Sequence, residues 1–154
     1  MLKGIANTTL SAIAQRAPVL VAPGLALGEV LARMAAAGRG SAVIHDERGH
    51  VAGIFTQRDL VRRVDPSAPG WRDVPVAEVM TRSPAVVRED ASVAQALQLM
   101  RSRHVRSLPI TRDGRPVGIV SCRDLLLFVA ERFPEDFLNL PPEPELEATA
   151  PWGG

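Results

Sequence analysis

The chain has 154 residues, 46% hydrophobic and 23% charged, with a formal net charge of +1. This is the composition of an ordinary globular protein with room for one sizeable core, and charge so evenly balanced creates no field to draw nucleic acid or an anionic membrane. The single cysteine, Cys122, excludes an internal disulfide and a cysteine-based zinc constellation.

Met1 to Leu10 holds one Lys and no apolar run of signal-peptide length, and no later stretch is long enough to cross a bilayer. The expectation is a soluble, unexported, cytoplasmic protein. With four Phe, two Trp and no Tyr, its core must be built from Val, Leu, Ile, Ala and Met.

In chain order, a helical lead-in over Leu10 to Ala14 precedes a short extended run after a proline, Val19-Leu20-Val21. Leu27, Val30, Leu31 and Met34 then recur at helical spacing, leaving one apolar stripe for a core. Gly38-Arg39-Gly40 is too short for a dinucleotide fingerprint, since the third glycine position holds Val43, and it reads as a helix stop. Ala42 to Ile44 and Val51 to Phe55 read as strands joined in a hairpin by Asp46-Glu47-Arg48-Gly49, and a second helix begins near Thr56.

The turn-rich run Asp65 to Trp71 is a connection, and Val74 to Met80 leads helically into the second half of the chain. Ala85-Val86-Val87 is again extended after a proline. Val93, Ala96, Leu97 and Met100 again have helical spacing, with Asp90 and Ser92 as candidate caps. Leu108 to Ile110 and Pro116 to Val120 form a second hairpin around Arg112-Asp113-Gly114, and a helix starts near Ser121. Beyond Phe133 the chain turns acidic and proline-rich, the composition of a frayed tail, the alternative being that Phe137, Leu138 and Leu140 dock on this or a neighbouring subunit.

The second half repeats the first. Pro18, Val21, Leu31 and Met34 stand 66 residues before Pro84, Val87, Leu97 and Met100; past one turn the offset becomes 65, and Gly49 to Leu60 falls on Gly114 to Leu125. The fold expected is therefore α/β, with the order β-α-β-β-α occurring twice. The units are 7–64 and 74–133, joined by a linker at 65–73 and followed by a tail at 134–154. Neither repeat of about 60 residues buries enough surface alone, so the two should pack as one pseudo-twofold pair.

Chemistry concentrates where each hairpin runs into its second helix, at Thr56-x-x-Asp59 and Ser121-x-x-Asp124. One reading is a capping box, in which hydroxyl and carboxylate satisfy orphan backbone N–H groups. The other is a ligand site: a helix start attracts phosphate, and a carboxylate accepts hydrogen bonds from a ribose diol, so sugar plus phosphate means a nucleotide. Gly53 and Gly118 would leave room for such a ligand to approach the backbone.

The segments Gly53-Ile54-Phe55-Thr56-Gln57-Arg58-Asp59 and Gly118-Ile119-Val120-Ser121-Cys122-Arg123-Asp124 resemble the Gly-hydrophobic-x-Thr/Ser-x-x-Asp signature that closes a CBS motif. Leu108-Pro109-Ile110 and Val79-Met80-Thr81 are similar to that family's habits, and the resemblance spans residues 9 to 132. It implies a pair of CBS motifs, or Bateman module, that dimerises as a flat disc. It also implies a regulatory ligand containing adenosine (AMP, ADP, ATP or S-adenosylmethionine), with no catalytic residues and no required cofactor.

The resemblance further implies two composite clefts. In one, Thr56 and Asp59 face Ser83, Pro84 and Ala85, with Arg106 and Ser107 near the phosphates and Arg123 assisting. In the other, Ser121 and Asp124 join Ala17, Pro18 and Val19, with Gly40, Ser41 and Arg58. Because Arg106 corresponds to Gly40, and Thr81 to Gln15, the Asp59 cleft is expected to bind phosphate more strongly.

Other chemistries are poorly supplied. No convergent set of acids, bases and nucleophiles is present, and Cys122 reads as the occupant of a variable position. His45 and His50 flank a turn and read as solvated, without metal-ligand spacing to His104. Arg101, Arg103 and Arg106 lack an aromatic stacking partner for RNA. Two functions remain: a homodimeric ligand sensor acting on a separate, unidentified protein, or a constitutive dimerisation scaffold whose aspartates only cap helices.

Overall fold

The computed structural model describes residues 2–13 and 16–132. A helix at Leu2–Ala6 (α1) and a 3-10 turn at Leu10–Ala12 lead to strand Leu20–Val21 (β1), helix Leu27–Ala37 (α2), strands Ser41–His45 (β2) and Val51–Thr56 (β3), and helix Gln57–Arg63 (α3). A further 3-10 turn, Val76–Glu78, precedes strand Thr81–Arg82 (β4). Strand Val87–Arg88 (β5), helix Val93–Arg103 (α4), strands Ser107–Arg112 (β6) and Arg115–Ser121 (β7) and helix Cys122–Arg132 (α5) complete the second repeat. Ala14, Gln15 and the tail with Phe137, Leu138 and Leu140 lie outside the described residues.

The α/β order appears twice, as the duplication predicts. Each repeat pairs its first strand parallel to its second and closes an antiparallel hairpin, giving β1-β2-β3 and β5-β6-β7. The helical stripes behave as the spacing requires, with Leu27, Val30, Met34, Val93, Ala96 and Met100 buried. Leu97 departs from this, being 44% exposed at the edge of its stripe. Gly38 ends α2 in the left-handed region at φ 63°, and His104 does the same for α4 at φ 53°. The cap of α4 is Ser92, whose side chain and that of Gln95 satisfy each other's backbone N–H groups. Asp90 instead forms a two-pronged ion pair with Arg88.

The segments ahead of the repeats are exchanged, a feature the repeat pattern does not reveal. Ile5, Leu10 and Ile13 are buried in the core of the second repeat, with Val87, Met100, Leu108 and Leu125. Reciprocally, Val76, Val79 and Met80 are buried in the core of the first repeat, with Leu27, Ile44 and Phe55. Each buried aliphatic side chain contributes about 1.5–3 kcal/mol, so each repeat draws a substantial part of its stability from the other's leader.

The backbone follows the same exchange. Strand β4 pairs antiparallel with β3 of the first repeat, making that sheet four-stranded, and Arg16 forms a bridge with Ile119 of β7. The chain crosses between sheets at Ala17-Pro18 and at Ser83-Pro84, where a missing N–H leaves no ladder bond to lose. A third cluster, Val43, Ile54 and Ile119 with Val51 against it, joins the two halves. At the hairpin tips Val51 N–H donates to Gly114 O, and the His50 ring lies against Gly114. His50 is half-buried rather than solvated because of this contact between tips, and His45 is half-buried with its ring Nδ1 2.9 Å from Asp46 O.

Candidate functional site

Strand β3 ends at Thr56 and α3 begins at the next residue, so the Thr56 side chain stands at a helix start. Its hydroxyl accepts from Asp59 N–H at 3.4 Å. In return Asp59 Oδ2 accepts from Thr56 N–H at 2.9 Å and from the Thr56 hydroxyl at 3.0 Å. The second repeat reproduces the arrangement: Asp124 N–H donates to Ser121 Oγ at 3.1 Å, and Asp124 Oδ2 accepts from Ser121 N–H at 2.9 Å and its hydroxyl at 2.8 Å. Both turns are complete capping boxes.

The aspartates differ in what meets their other oxygen. Asp59 Oδ1 accepts from the Thr81 hydroxyl at 2.9 Å and lies 3.5 Å from Arg63 Nε, leaving the residue 6% exposed. Arg63 also donates from Nη1 to Met80 O at 2.7 Å, tying α3 to the residue before β4. Among the described residues, Asp124 Oδ1 is approached by a cation only from Arg16 Nε, at 4.0 Å. Its side chain is 18% exposed against 9% for Asp59.

Strand register decides which of the expected residues come together. Ser41 pairs with Thr56, and Gln57 N–H donates to Gly40 O at 3.2 Å, so Gly40 and Ser41 stand beside the hydroxyl of their own repeat. Ser107 pairs with Ser121, and Cys122 N–H donates to Arg106 O at 2.9 Å. Arg106 and Ser107 thus adjoin Ser121, and Gly40 and Ser41 adjoin Thr56, while Arg58 reaches across to the strand entry of the second repeat. The cause is the hairpin, which returns the strand entry of each repeat to its own helix start.

The exchanged segments reach the aspartates slightly upstream of the expected positions. Thr81 and Arg16 make the contacts, ahead of Ser83-Pro84-Ala85 and Ala17-Pro18-Val19. Ser83 is left-handed at φ 45° and donates its N–H to Ala52 O, while Ala85 packs against the second core. Ala17 O accepts from Arg39 Nη2, and Val19 O accepts from Val43 N–H, returning the chain to its own repeat. Arg58 crosses between repeats, donating from Nη1 to His104 O at 3.1 Å. Arg123 is exposed on the first turn of α5.

Arg63 and Arg16 were not among the site residues expected from sequence, and Thr81 entered there only as the counterpart of Gln15. Arg63 carried a signal, standing four residues after Asp59 on one helix face. Gly53 has a different role from the one expected. A Cβ there would collide with Met80 Sδ and lie 3.0 Å from Thr81 O, so its open face is filled by the incoming β4 and not by a ligand. Cys122 is exposed, with Sγ 3.3 Å from Met100 Sδ. Among the described residues no group of three His, Cys, Asp or Glu side chains could hold a metal, and no helix is long and apolar enough to cross a membrane.

Comparison with known proteins gives this architecture its relatives. A 17.7 kDa protein of Acidianus ambivalens is 37% identical over 121 residues, covering 77% of this chain and 71% of its own length. The arabinose 5-phosphate isomerase KdsD of Pseudomonas aeruginosa is 38% identical over 104 residues; the match covers 67% of this chain but 32% of the isomerase. Protein MK0525 of Methanopyrus kandleri is 32% identical, with 62% of its length matched. The chain thus spans under two thirds of the length of several relatives.

Among solved structures, the CBS domain of a CBS domain containing membrane protein from Sphaerobacter thermophilus has a TM-score of 0.70 at 27% identity, covering 81% of this chain and 90% of that one. The CBS domain pair of protein MJ0100, solved with 5′-methylthioadenosine and S-adenosyl-L-methionine, shares the fold with a TM-score of 0.70 at 23% identity, covering 81% of this chain and 98% of that one. The family model of the CBS domain matches residues 10–66 and again 76–131, one match per repeat. With both repeats matched and their leaders exchanged as a pair, this chain belongs to the CBS domain family as a tandem regulatory pair.

Proposed function

We propose that the chain is a non-catalytic sensor of an adenosine-containing nucleotide, one of AMP, ADP, ATP and S-adenosylmethionine, that signals to a separate protein. The observation that carries this reading is the repeated hydroxyl–aspartate turn, each copy met by a segment that reaches it from the other side of the pair. A carboxylate at such a place offers acceptors to a ribose diol, and nearby arginines, Arg106 and Arg123 on one side and Arg58 between the repeats, offer charge to phosphate. The ligands held by the MJ0100 pair, which has the same fold, contain adenosine. Because the turns also engage the exchanged segments, a ligand that binds one packing of the repeats better than another shifts the pair toward it. Exposed Val61, Leu126 and Leu127 on α3 and α5 supply apolar surface for a homodimer.

The completeness of both capping boxes favours a second reading, a constitutive scaffold in which the aspartates serve folding alone. A thermal-shift series with AMP, ADP, ATP, adenosine and S-adenosylmethionine, with GTP as control, separates the two. Ligand at a hundredfold excess over Kd should raise Tm by about 5 °C or more if it binds the native state. A saturable, adenine-selective rise supports the sensor. A flat response to all six replaces it with the scaffold.

A further inference from the structure

The even charge balance of the chain is made of two unequal parts. Residues 1–132 hold all 18 Lys and Arg and 12 of the 17 Asp and Glu, while residues 133–154 hold the other five acids and no base, so the body carries +6 and the tail −5. Much of the body's excess is gathered at one place. Helix α4 ends with Arg101 and Arg103 and is capped by His104, strand β6 is entered through Arg106, and α5 begins with Cys122-Arg123. Two contacts hold these ends together: Cys122 N–H donates to Arg106 O at 2.9 Å, and the Arg58 guanidinium reaches from α3 to His104 O at 3.1 Å. Arg101, Arg103, Arg106 and Arg123 are exposed, and among the described residues none has a side-chain hydrogen bond or ion pair. The acids next in sequence, Asp59 after Arg58 and Asp124 after Arg123, are engaged in their capping boxes. Elsewhere the arginines are answered, Arg33 by Glu29, Arg88 by Asp90 and Arg112 by Glu89. Like charges gathered without a counter-charge repel one another and attract an acidic occupant.

We infer that this arginine surface is the docking site of the chain's own acidic segment, Glu143-Pro144-Glu145-Leu146-Glu147. Alternate residues of an extended chain share one side, so glutamates at every second position would face the arginines together. Proline at 141, 142 and 144 restricts the chain to extended forms beforehand and lowers the entropy lost on docking. The reach is sufficient. Helix α5 has 11 residues, about 16 Å at 1.5 Å each. The ten residues between Arg132 and Glu143 span up to about 33–36 Å, so the segment can return from the end of α5 to its start. Exposed ion pairs are weak singly, but a covalent tether supplies an effective concentration on the order of mM, which lets several weak pairs suffice. An acidic segment of another protein would meet the same arginines without that advantage. No nucleotide is needed for this contact, which stands or falls apart from the sensor reading.

A nitroxide on Cys122, the chain's single cysteine, exposed and adjacent to Arg123, tests the docking by NMR of the full chain. Amide peaks of residues 143–147 should lose more intensity than those of residues 134–138, which are nearer α5 in sequence. The loss should recover as salt rises from about 0.01 to 1 M, which shortens the screening length from about 30 Å to about 3 Å. Arg103→Glu with Arg106→Glu should abolish it, and adding Glu143→Arg with Glu145→Arg should restore it. Both arginines are exposed, so these variants keep the fold. A loss that declines smoothly from residue 133 outward, unchanged by salt and by the charge exchange, overturns the inference. So does a loss at residues 143–147 seen only between chains, when an isotope-labelled Cys122→Ser chain is mixed with a nitroxide-bearing one, because the occupant is then a neighbour's tail.

Discussion

Gly53→Ala puts the exchange of leaders to a quantitative test. The added methyl would strike Met80 Sδ and lie 3.0 Å from Thr81 O and 3.1 Å from Met80 Cε. A thioether can turn aside in open space, but Met80 is 4% exposed among packed aliphatic groups, and the Thr81 carbonyl is backbone. Strand β4 must therefore move. Overpacking of this kind costs about 1–3 kcal/mol, from which roughly 0.5–1 kcal/mol is recovered because alanine loses less chain entropy than glycine. The net expectation is a loss of up to about 2.5 kcal/mol, centred near 1 kcal/mol, in urea unfolding at unchanged m value. Gly24→Ala, where nothing lies within 4 Å of the new methyl, serves as the control and should be neutral or slightly stabilising. A Gly53→Ala protein as stable as the Gly24→Ala control would show that β4 does not press on β3, and the account of Thr81 as a fixed partner of Asp59 would fall with it.

Leu10→Ala should destabilise the fold by about 2–5 kcal/mol, since a fully buried leucine loses both its transfer free energy and its packing. Hydrogen exchange should speed first in α4, β6 and α5 of the second repeat; acceleration confined to the first repeat would contradict the exchanged leader. A pH effect is expected at Glu89, whose carboxyl is held below its ordinary value of 4.5 chiefly by the hydrogen bond from Arg112, with Nε on Oε1 at 2.5 Å and Nη2 on Oε2 at 2.6 Å. A folded value below the unfolded one means stability present above about pH 4.5 and lost as pH falls through the folded value. The stability difference between wild type and Glu89→Gln should therefore be constant near neutrality and shrink in acid, and a difference that grew in acid would refute the pairing.

Much of the fold was legible because it rests on local rules. Helical spacing marked the stripes of α2 and α4, and turn residues marked both hairpins. Leu97 was misjudged because a stripe wide enough to include it exceeds what one core face covers. The exchanged leaders were not legible, since an apolar segment does not say which of two similar cores it will enter. The same limit governed the site: the signature identified Thr56, Asp59, Ser121 and Asp124, but the partners depended on long-range pairing. Hairpin register alone would have set Arg106 and Gly40 each beside its own helix start.

The leaders join the core of each repeat to the aspartate of its capping box. Thr81 is at once the residue of β4 paired with Ile54 and the hydroxyl on Asp59, and Arg16 is at once the bridge partner of Ile119 and the cation nearest Asp124. A group that takes up Oδ1 of Asp124 competes with Arg16, whose backbone continues from the segment seated by Ile5, Leu10 and Ile13 in the second core. Arg58, bonded to His104 O, links the helix start of the first repeat to the strand entry that carries Arg106. In a pair built this way the contacts that complete each core also meet its capping aspartate, with the Thr81 hydroxyl on Asp59 and Arg16 as the cation nearest Asp124.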